Sequence, residues 1–454
     1  MPSGRLRLSV WCAALGLLVA GCSEPTNGPL SAPSGAQFGK SATSIAVTAA
    51  SPAQARSDTT LDVQISGSGF EVGSHADWLL DGKSDSRVRT NSTRFVSSTS
   101  LVANITIAAD AIPSSYDVAV VTSNGKTGIG TDLFTIAISV VDLAAGTGLY
   151  GRAYHVNATG YVLGTLGTDP VSPKGFGYWA PSSSTFSVID ATVGSTDIGK
   201  GNAAGDWAEH FDFPRVWLVT GENSWSPTTL APLGANAGTP AAINASRVVV
   251  GRTSLGAVRW PDPNSAPALL PLPAISGIDA SSSQAWAINS NGDIVGTVRA
   301  TSGNTSVDYA LLWTTSGQSV TVLPPPPGAS SRSATGINDV GVIVGYYAGS
   351  GGKSFPMRWT PNGAGYTIGT LSTSTGNNLR GSVNICGRAV GGASGKAYVW
   401  DASGGLTLLP LLPGASEAQA NAINDGGTVV GATKFVANGR SSYKPTLWTG
   451  IPAC

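Results

Sequence analysis

Short apolar runs broken by glycine, proline and asparagine extend from about residue 45 to residue 454. Between 41 and 137 the runs alternate apolar with polar positions: Ile45-Ala46-Val47, Leu61-Asp62-Val63-Gln64-Ile65, Leu101 to Ile107 and Tyr116 to Val121. Gly67, Gly69, Gly73, Asp81-Gly82 and Asn124-Gly125 punctuate them. A period of two places alternate side chains on opposite faces, so each run reads as a half-buried strand. At this spacing the strands predict an antiparallel sandwich. Gly67-Ser68-Gly69-Phe70, directly after a strand, is what a bulge and a close sheet approach require.

From about residue 138 onward one phrase recurs: small residues, Ile/Val-Asn, two residues, Gly, then Val/Ile-Val and Gly. Its asparagines are Asn157, Asn202, Asn244, Asn289, Asn338, Asn384 and Asn424, spaced 45, 42, 45, 49, 46 and 40 residues apart. Three residues on stand Gly160, Gly205, Gly292, Gly341, Gly387 and Gly427, with Arg247 as the exception. Seven residues on stand Gly164, Gly251, Gly296, Gly345, Gly391 and Gly431, with Glu209 as the exception. A tryptophan follows each asparagine by 15 to 24 residues: Trp179, Trp217, Trp260, Trp313, Trp359, Trp400 and Trp448.

Asn-x-x-Gly between strands reads as a tight turn, because Asn bonds its own backbone and Gly takes a positive φ without steric cost. Val-Val or Ile-Val is then a buried strand, and the tryptophan ends a third apolar run. A fourth run, such as Thr321-Val322-Leu323 or Leu406 to Leu409, often ends in proline. Four strands in about 45 residues match a propeller blade, so 138–454 is predicted to form a seven-bladed β-propeller. The strand before each Asn, with Ala285, Ala287, Ser333, Thr335, Ala420 and Ala422, is small enough to lie innermost. The seventh unit lacks a fourth strand after Trp448, whereas Val140-Val141-Asp142-Leu143 lies 14 residues ahead of Asn157, close to the 15 that separate Leu323 from Asn338. The segment 138–143 is therefore expected to complete the last blade beside Trp448, removing two sheet edges.

Two resemblances join this reading. Ser51-Pro52, Ile65-Ser66-Gly67-Ser68-Gly69-Phe70, and Tyr116-Asp117-Val118 leading to Thr122-Ser123-Asn124-Gly125 resemble the IPT/TIG immunoglobulin-like family across 42–137. That likeness implies a spacer or binding module of a surface protein. Ala287-Ile288-Asn289 to Gly296 and Ala422-Ile423-Asn424 to Gly431 resemble the HAF family of bacterial extracellular repeats. The family's His-Ala-Phe triplet is degenerate here, as in Asp308-Tyr309-Ala310-Leu311-Leu312-Trp313. This likeness implies an exported, repeat-built protein and carries no activity with it.

Arg5 and Arg7 precede an apolar run, Leu8 to Ala20, which is short for a bilayer span. It ends Leu18-Val19-Ala20-Gly21-Cys22, resembling the bacterial lipobox. The likeness implies a signal peptide over 1–21, lipidation at Cys22 and membrane attachment through that anchor. Ser23 after the lipidated residue favours the outer membrane or cell surface. Residues 22–41, rich in Ser, Pro and Gly, are expected to be a disordered tether. With Cys12 in the leader and Cys22 lipidated, Cys386 and Cys454 remain, and an exported protein would pair them.

Charged residues are 11% of the chain, and 26 Lys+Arg balance 26 Asp+Glu, so no basic footprint for nucleic acid is present. The three histidines, His75, His155 and His210, have no metal-ligand spacing, and no phosphate loop or nucleophile elbow occurs. Neither cofactor nor metal is therefore expected. One stretch departs from the repeat: Asp206-Trp207-Ala208-Glu209-His210-Phe211-Asp212. Asp206, Glu209, His210 and Asp212 are candidates for a ligand patch or an acid–base pair, against a degenerate blade with solvated polar groups. The leading expectation is a non-catalytic surface protein binding an extracellular protein or glycan through propeller loops, or serving as scaffold. The alternative is an extracellular propeller hydrolase or lyase acting on a polysaccharide or peptide.

Overall fold

The alternating runs of the first segment form strands because β-branched and aromatic residues fill one face while Ser, Thr and Asn take the other. The structure, a computed structural model, describes residues 44–454 except 109, 171–172, 174, 192–197, 210–213, 236, 315–316, 350–352, 364 and 371–380. The described residues are all-β, without an α-helix, and Ser44–Cys454 forms one compact unit. The segments expected to be a signal peptide and a tether, and Cys22 with them, lie outside the described residues, as do His210 and Asp212.

Two sheets make up the first segment. One orders Ala46–Ser51, Thr59–Ser68, Ser100–Ile107 and Val88–Ser97; the other orders Gln54–Ala55, Thr127–Ile136, Ser115–Val121, His75–Leu80 and Lys83–Ser84. Val63, Ile65, Leu101 and Ile105 from the first share a buried cluster with Trp78, Tyr116, Val118 and Phe134 from the second. The expected irregularity falls opposite Gly67, where the pairing of Val47 and Ala49 slips by one residue. A Cβ on Gly67 would collide with the Ala46 carbonyl and the Phe70 ring. The Tyr116 hydroxyl, buried, is anchored by the Asp85 carboxylate at 3.1 Å and the Ile112 carbonyl at 3.1 Å.

The repeat units each build an antiparallel sheet in chain order. The fourth, for example, runs Ile278–Ile288, Ile294–Ser302, Thr305–Thr314 and Ser319–Val322. The second and third units join through one parallel bridge, Lys200 to Ala242. In the sixth, the first strand contributes an isolated Val383–Ala389 bridge beside the sheet of Ala389–Ala393, Lys396–Trp400 and Leu406–Leu408. The seventh sheet, Glu417–Ile423, Val429–Ala437 and Arg440–Thr449, is completed by Ser139–Asp142, with Val140 opposite Trp448 and Val141 opposite Leu447.

The inner strands share a bulge that explains the glycine seven residues after each Asn. Pairing slips between Ala285 and Ala287, Ala334 and Gly336, and Ala420 and Ala422, three residues before the respective Asn. A Cβ on Gly296 would collide with the Gln284 carbonyl and come within 2.8 Å of the Trp313 ring. In the second unit, where Glu209 is the exception, the inner strand itself carries a tightly packed glycine: a Cβ on Gly199 would lie 2.7 Å from the Ala241 carbonyl and 3.0 Å from the Ala208 Cβ.

Each sheet buries its faces against its sequence neighbours. One cluster joins Val250 of the third unit to Trp313 of the fourth, another joins Leu312 of the fourth to Trp359 of the fifth, and a third joins Val399 of the sixth to Trp448 of the seventh. A further cluster joins Val430 of the seventh to Trp179 of the first. The tryptophans tie units together through their indole N–H groups. Trp260 donates to the Ala231 carbonyl (2.8 Å), Trp313 to Pro271 (2.7 Å), Trp359 to Pro324 (2.8 Å) and Trp448 to Pro410 (2.8 Å), each acceptor closing the preceding unit. Trp179 of the first unit donates in the same way to Leu143 (3.0 Å), which follows the strand completing the seventh.

Candidate functional site

The seven asparagines converge. In each turn the side-chain oxygen accepts the backbone N–H four residues on, as from Asn338 Oδ1 to Val342 (2.8 Å) and Asn424 Oδ1 to Thr428 (2.9 Å). The other end of the amide reaches out of the unit. Asn202 Nδ2 donates to the Asn244 carbonyl (3.0 Å), Asn244 to Asn289 (3.0 Å), Asn289 to Asn338 (3.1 Å), Asn338 to Asn384 (2.7 Å) and Asn384 to Asn424 (3.3 Å). Asn424 donates to Asn157 at 2.9 Å, returning from the last unit to the first. Between the first and second units the Asn202 carbonyl meets His155 Nε2 at 3.3 Å, and Ala158 N–H meets the Ala203 carbonyl at 3.3 Å. The amide accepts within its turn through its oxygen and donates beyond it through its nitrogen; an aspartate would lose the donor.

Around these turns lies a cavity of about 200 Å³ to which all seven units contribute. Its wall is Ile243, Ile288, Ile337 and Ile423 with the asparagines, and its mouth includes Ser290, Asp339 and Asp425. Both carboxylates at the mouth accept from a neighbouring unit: Asp339 from Ser290 N–H (2.8 Å) and hydroxyl (2.9 Å), Asp425 from Ile385 N–H (2.8 Å). His155 also lines the cavity. Enclosure away from bulk water penalises its charged form and pulls its pKa down to about 4.

Lys200 occupies the position two residues before Asn202, where the other units carry His155, Ala242, Ala287, Gly336, Ser382 and Ala422. Its ammonium crosses to the fifth unit and donates to the Thr335 carbonyl. The opposite wall is glycine there: a Cβ on Gly381 would stand 2.8 Å from Lys200 Nζ. Enclosure pulls the Lys200 pKa down to about 7.

The candidates Asp206 and Glu209 are turned inward, 2% and 1% exposed, and they do not meet. Asp206 accepts from Asn202 Nδ2 (2.9 Å), Val219 N–H (2.7 Å) and Arg247 Nε (3.0 Å). The two departures from the repeat thus answer each other. Arg247, at φ 60 where the other units have glycine, brings its guanidinium to the carboxylate that the second unit alone buries at this turn. Glu209 is gripped by Arg215 Nε, by Arg215 Nη2 at 3.1 Å and by Trp217 Nε1 at 3.0 Å. With their oxygens committed to internal donors, neither carboxylate presents an acid–base pair to solvent. Asp206 and Glu209 are thus packed polar groups and not solvated ones.

Cys386, two residues past Asn384, is joined to Cys454 by a disulfide, with Cα atoms 5.6 Å apart. The strap leading to it is fixed by Cys454 N–H on the Asp425 carbonyl (2.7 Å) and Arg388 Nη1 on the Pro452 carbonyl (2.7 Å). Among the described residues no group of three or more His, Cys, Asp or Glu side chains could hold a metal ion.

The sequence reading passed over His155 and Lys200 because the repeat was aligned on its asparagines, glycines and tryptophans. The signal was present in the column two residues before each Asn, where two large polar residues interrupt a run of small ones. A scan against protein-family models finds no match to the chain, and a search of curated proteins finds no relative of it. The likeness to IPT/TIG domains and HAF repeats rests on the motifs themselves.

Proposed function

We propose that the seven repeat units close into a seven-bladed β-propeller carried behind an immunoglobulin-like IPT/TIG module, and that the chain is a lipid-anchored cell-surface binding or scaffold protein without catalytic activity. The observation that carries the reading is the order of the asparagine bonds, in which Asn202, Asn244, Asn289, Asn338 and Asn384 each donate to the next asparagine and Asn424 donates to Asn157, while His155 and Ala158 join the first unit to the second. An open rod of units would leave the first and last members unpaired. The cavity at the centre is lined by amides already bonded to one another, which favours recognition over chemistry. The likeness of residues 18–22 to a lipobox supports export and anchoring at Cys22, with the outer membrane or cell surface as destination.

Closure is tested by a cysteine pair at facing positions, V141C/L447C. Oxidation is expected to link the pair and raise the unfolding midpoint; two freely reactive thiols in the folded protein would refute the ring. Anchoring is tested by C22A, which is expected to abolish acyl-chain labelling and release the protein from membranes. Binding is tested with the full chain on a glycan array and in protein pull-downs. Turnover of a polysaccharide or peptide without retention of any ligand would favour a hydrolase or lyase instead.

A further inference from the structure

Residues 450–454 form a strap that is fixed firmly at one end and lightly at the other. Ile451 is buried with Val390 of the sixth unit and Val429 and Trp448 of the seventh. The strap then crosses Gly427, where a Cβ would stand 2.0 Å from the Ile451 carbonyl oxygen. Beyond Ile451, residues 452–454 have three polar or covalent attachments among the described residues: Arg388 Nη1 on the Pro452 carbonyl, Cys454 N–H on the Asp425 carbonyl, and the Cys386–Cys454 disulfide. Cys454 is exposed and Cys386 half-buried, so a thiolate in solution can reach the bond.

These attachments fall at the mouth of the cavity. Cys386 follows Ile385, Cys454 is bonded to Asp425, and Ile385 and Asp425 both line the cavity. Ile385 N–H donates to the Asp425 carboxylate at 2.8 Å. The equivalent pair between the fourth and fifth units, Ser290 N–H on Asp339 at 2.8 Å, is reinforced by side chains: the Ser290 hydroxyl reaches the same carboxylate at 2.9 Å, and Asn291 Nδ2 holds the Asp339 carbonyl at 2.9 Å. At Asp425 the strap supplies the bond to the carbonyl that Asn291 supplies at Asp339. The asparagine bond at this junction, 3.3 Å from Asn384 to Asn424, is also the longest of the six.

We propose that the Cys386–Cys454 bond is a redox clasp on the cavity mouth. Intact, it holds residues 452–454 across the junction of the sixth and seventh units; reduced, it releases them and loosens the Ile385–Asp425 side of the mouth while the sheets stay folded. A small dithiol outside the protein supplies the electrons. One of its thiolates attacks a sulfur of the bond, and the displaced cysteine sulfur leaves as a thiolate and takes up a proton. The second thiol gives up its proton and displaces the other cysteine, so the protein gains two electrons as two thiols and the dithiol becomes a disulfide. Two hydrogen bonds on an exposed segment do not then hold it against its conformational entropy, whereas Ile451 and the sheets keep their buried contacts. The inference goes beyond the binding reading and is independent of what the cavity holds.

The test treats the full chain with dithiothreitol under native conditions, locates alkylated thiols by peptide mass and follows amide hydrogen exchange. Cys386 and Cys454 are expected to be alkylated while the circular dichroism of the sheets is unchanged. Exchange in peptides covering 383–388, 424–427 and 450–454 is expected to quicken at least roughly tenfold. Exchange around Ser290, whose bond to Asp339 has no disulfide beside it, should not change, and reoxidation should restore the first state. C454S should show the reduced pattern without reductant. Reduction that proceeds only as the whole chain unfolds, or unaltered exchange at 383–388 and 424–427 in the reduced and folded chain, overturns the proposal whether or not C454S folds. The V141C/L447C cross-link reports separately on closure of the ring, and its failure would leave the clasp in place.

Discussion

Removing one side chain from the asparagine circuit should cost far more than its exposure to the cavity suggests. In the variant N338A two groups lose their partner: the Asn384 carbonyl, held at 2.7 Å, and the Val342 N–H, held at 2.8 Å. Stranding a buried polar group costs about 1–3 kcal/mol, which for two groups sums to about 2–6 kcal/mol. Water in the cavity can reach the carbonyl, because Asn384 lines it, whereas Val342 is buried. The expected loss is therefore about 2–3 kcal/mol. N338D separates the two roles. Its carboxylate still accepts from Val342 but confronts the Asn384 carbonyl without a proton, so at pH 7 it should be at least as damaging as N338A. At pH 4.5 a protonated aspartate can donate again, and the gap to wild type should narrow by about 1 kcal/mol or more. Equilibrium urea unfolding of wild type and variants at both pH values reads this directly, with wild type at each pH as reference. N291A, which removes an exposed donor to the Asp339 carbonyl, serves as control and should stay within about 0.5 kcal/mol. A gap for N338D that widens on acidification, or an N338A no worse than N291A, would refute the role given to the circuit.

The disulfide spans 68 residues of sequence, and loop closure over that length contributes about 4 kcal/mol at most, so C386S/C454S should lower the urea midpoint and abolish any effect of reductant on it. R247G relieves a positive φ at a non-glycine residue but leaves the Asp206 carboxylate buried without its partly exposed guanidinium. A net loss of about 1–3 kcal/mol is expected, and D206N in the R247G background should recover most of it; strict additivity in that double-mutant cycle would dissociate the two residues. His155 titrates at about 4 in the fold against 6.5 for the free side chain. The unfolded chain therefore takes up the proton first, and stability present above pH 6.5 is lost progressively down to pH 4. That loss is about 1–3 kcal/mol after allowing for cavity water, and H155Q should flatten that part of the pH profile; an unchanged profile would remove His155 as its source.

Much of this arrangement was legible before any coordinate. Strand class, unit length and the pairing of Val140 with Trp448 follow from local signals: period-two alternation, turn residues at fixed offsets, and a missing fourth strand matched by a spare one. The Asn-x-x-Gly turn could be read because its requirements are met within five residues of chain, the left-handed glycine and the amide bonding its own backbone. The other half of the same amide was invisible, since its acceptor lies a whole unit away, as from Asn289 to Asn338.

The second unit shows where sequence reasoning misleads. Asp206 and Glu209 looked like an exposed departure from an apolar pattern, but a carboxylate's environment depends on which cations the fold delivers to it. Arg247 arrives from the next unit and Arg215 from the adjacent strand, and each encloses its acid. Lys200 is the converse, an ordinary residue in the sequence that the assembly isolates against a distant carbonyl. The chain by itself determined the repeated, turn-punctuated sheets, because backbone and burial preferences act over a few residues. Which polar groups are answered and which are left with charge to spare was decided only when seven units met, because electrostatics and desolvation depend on distance in space, to which separation along the chain is no guide.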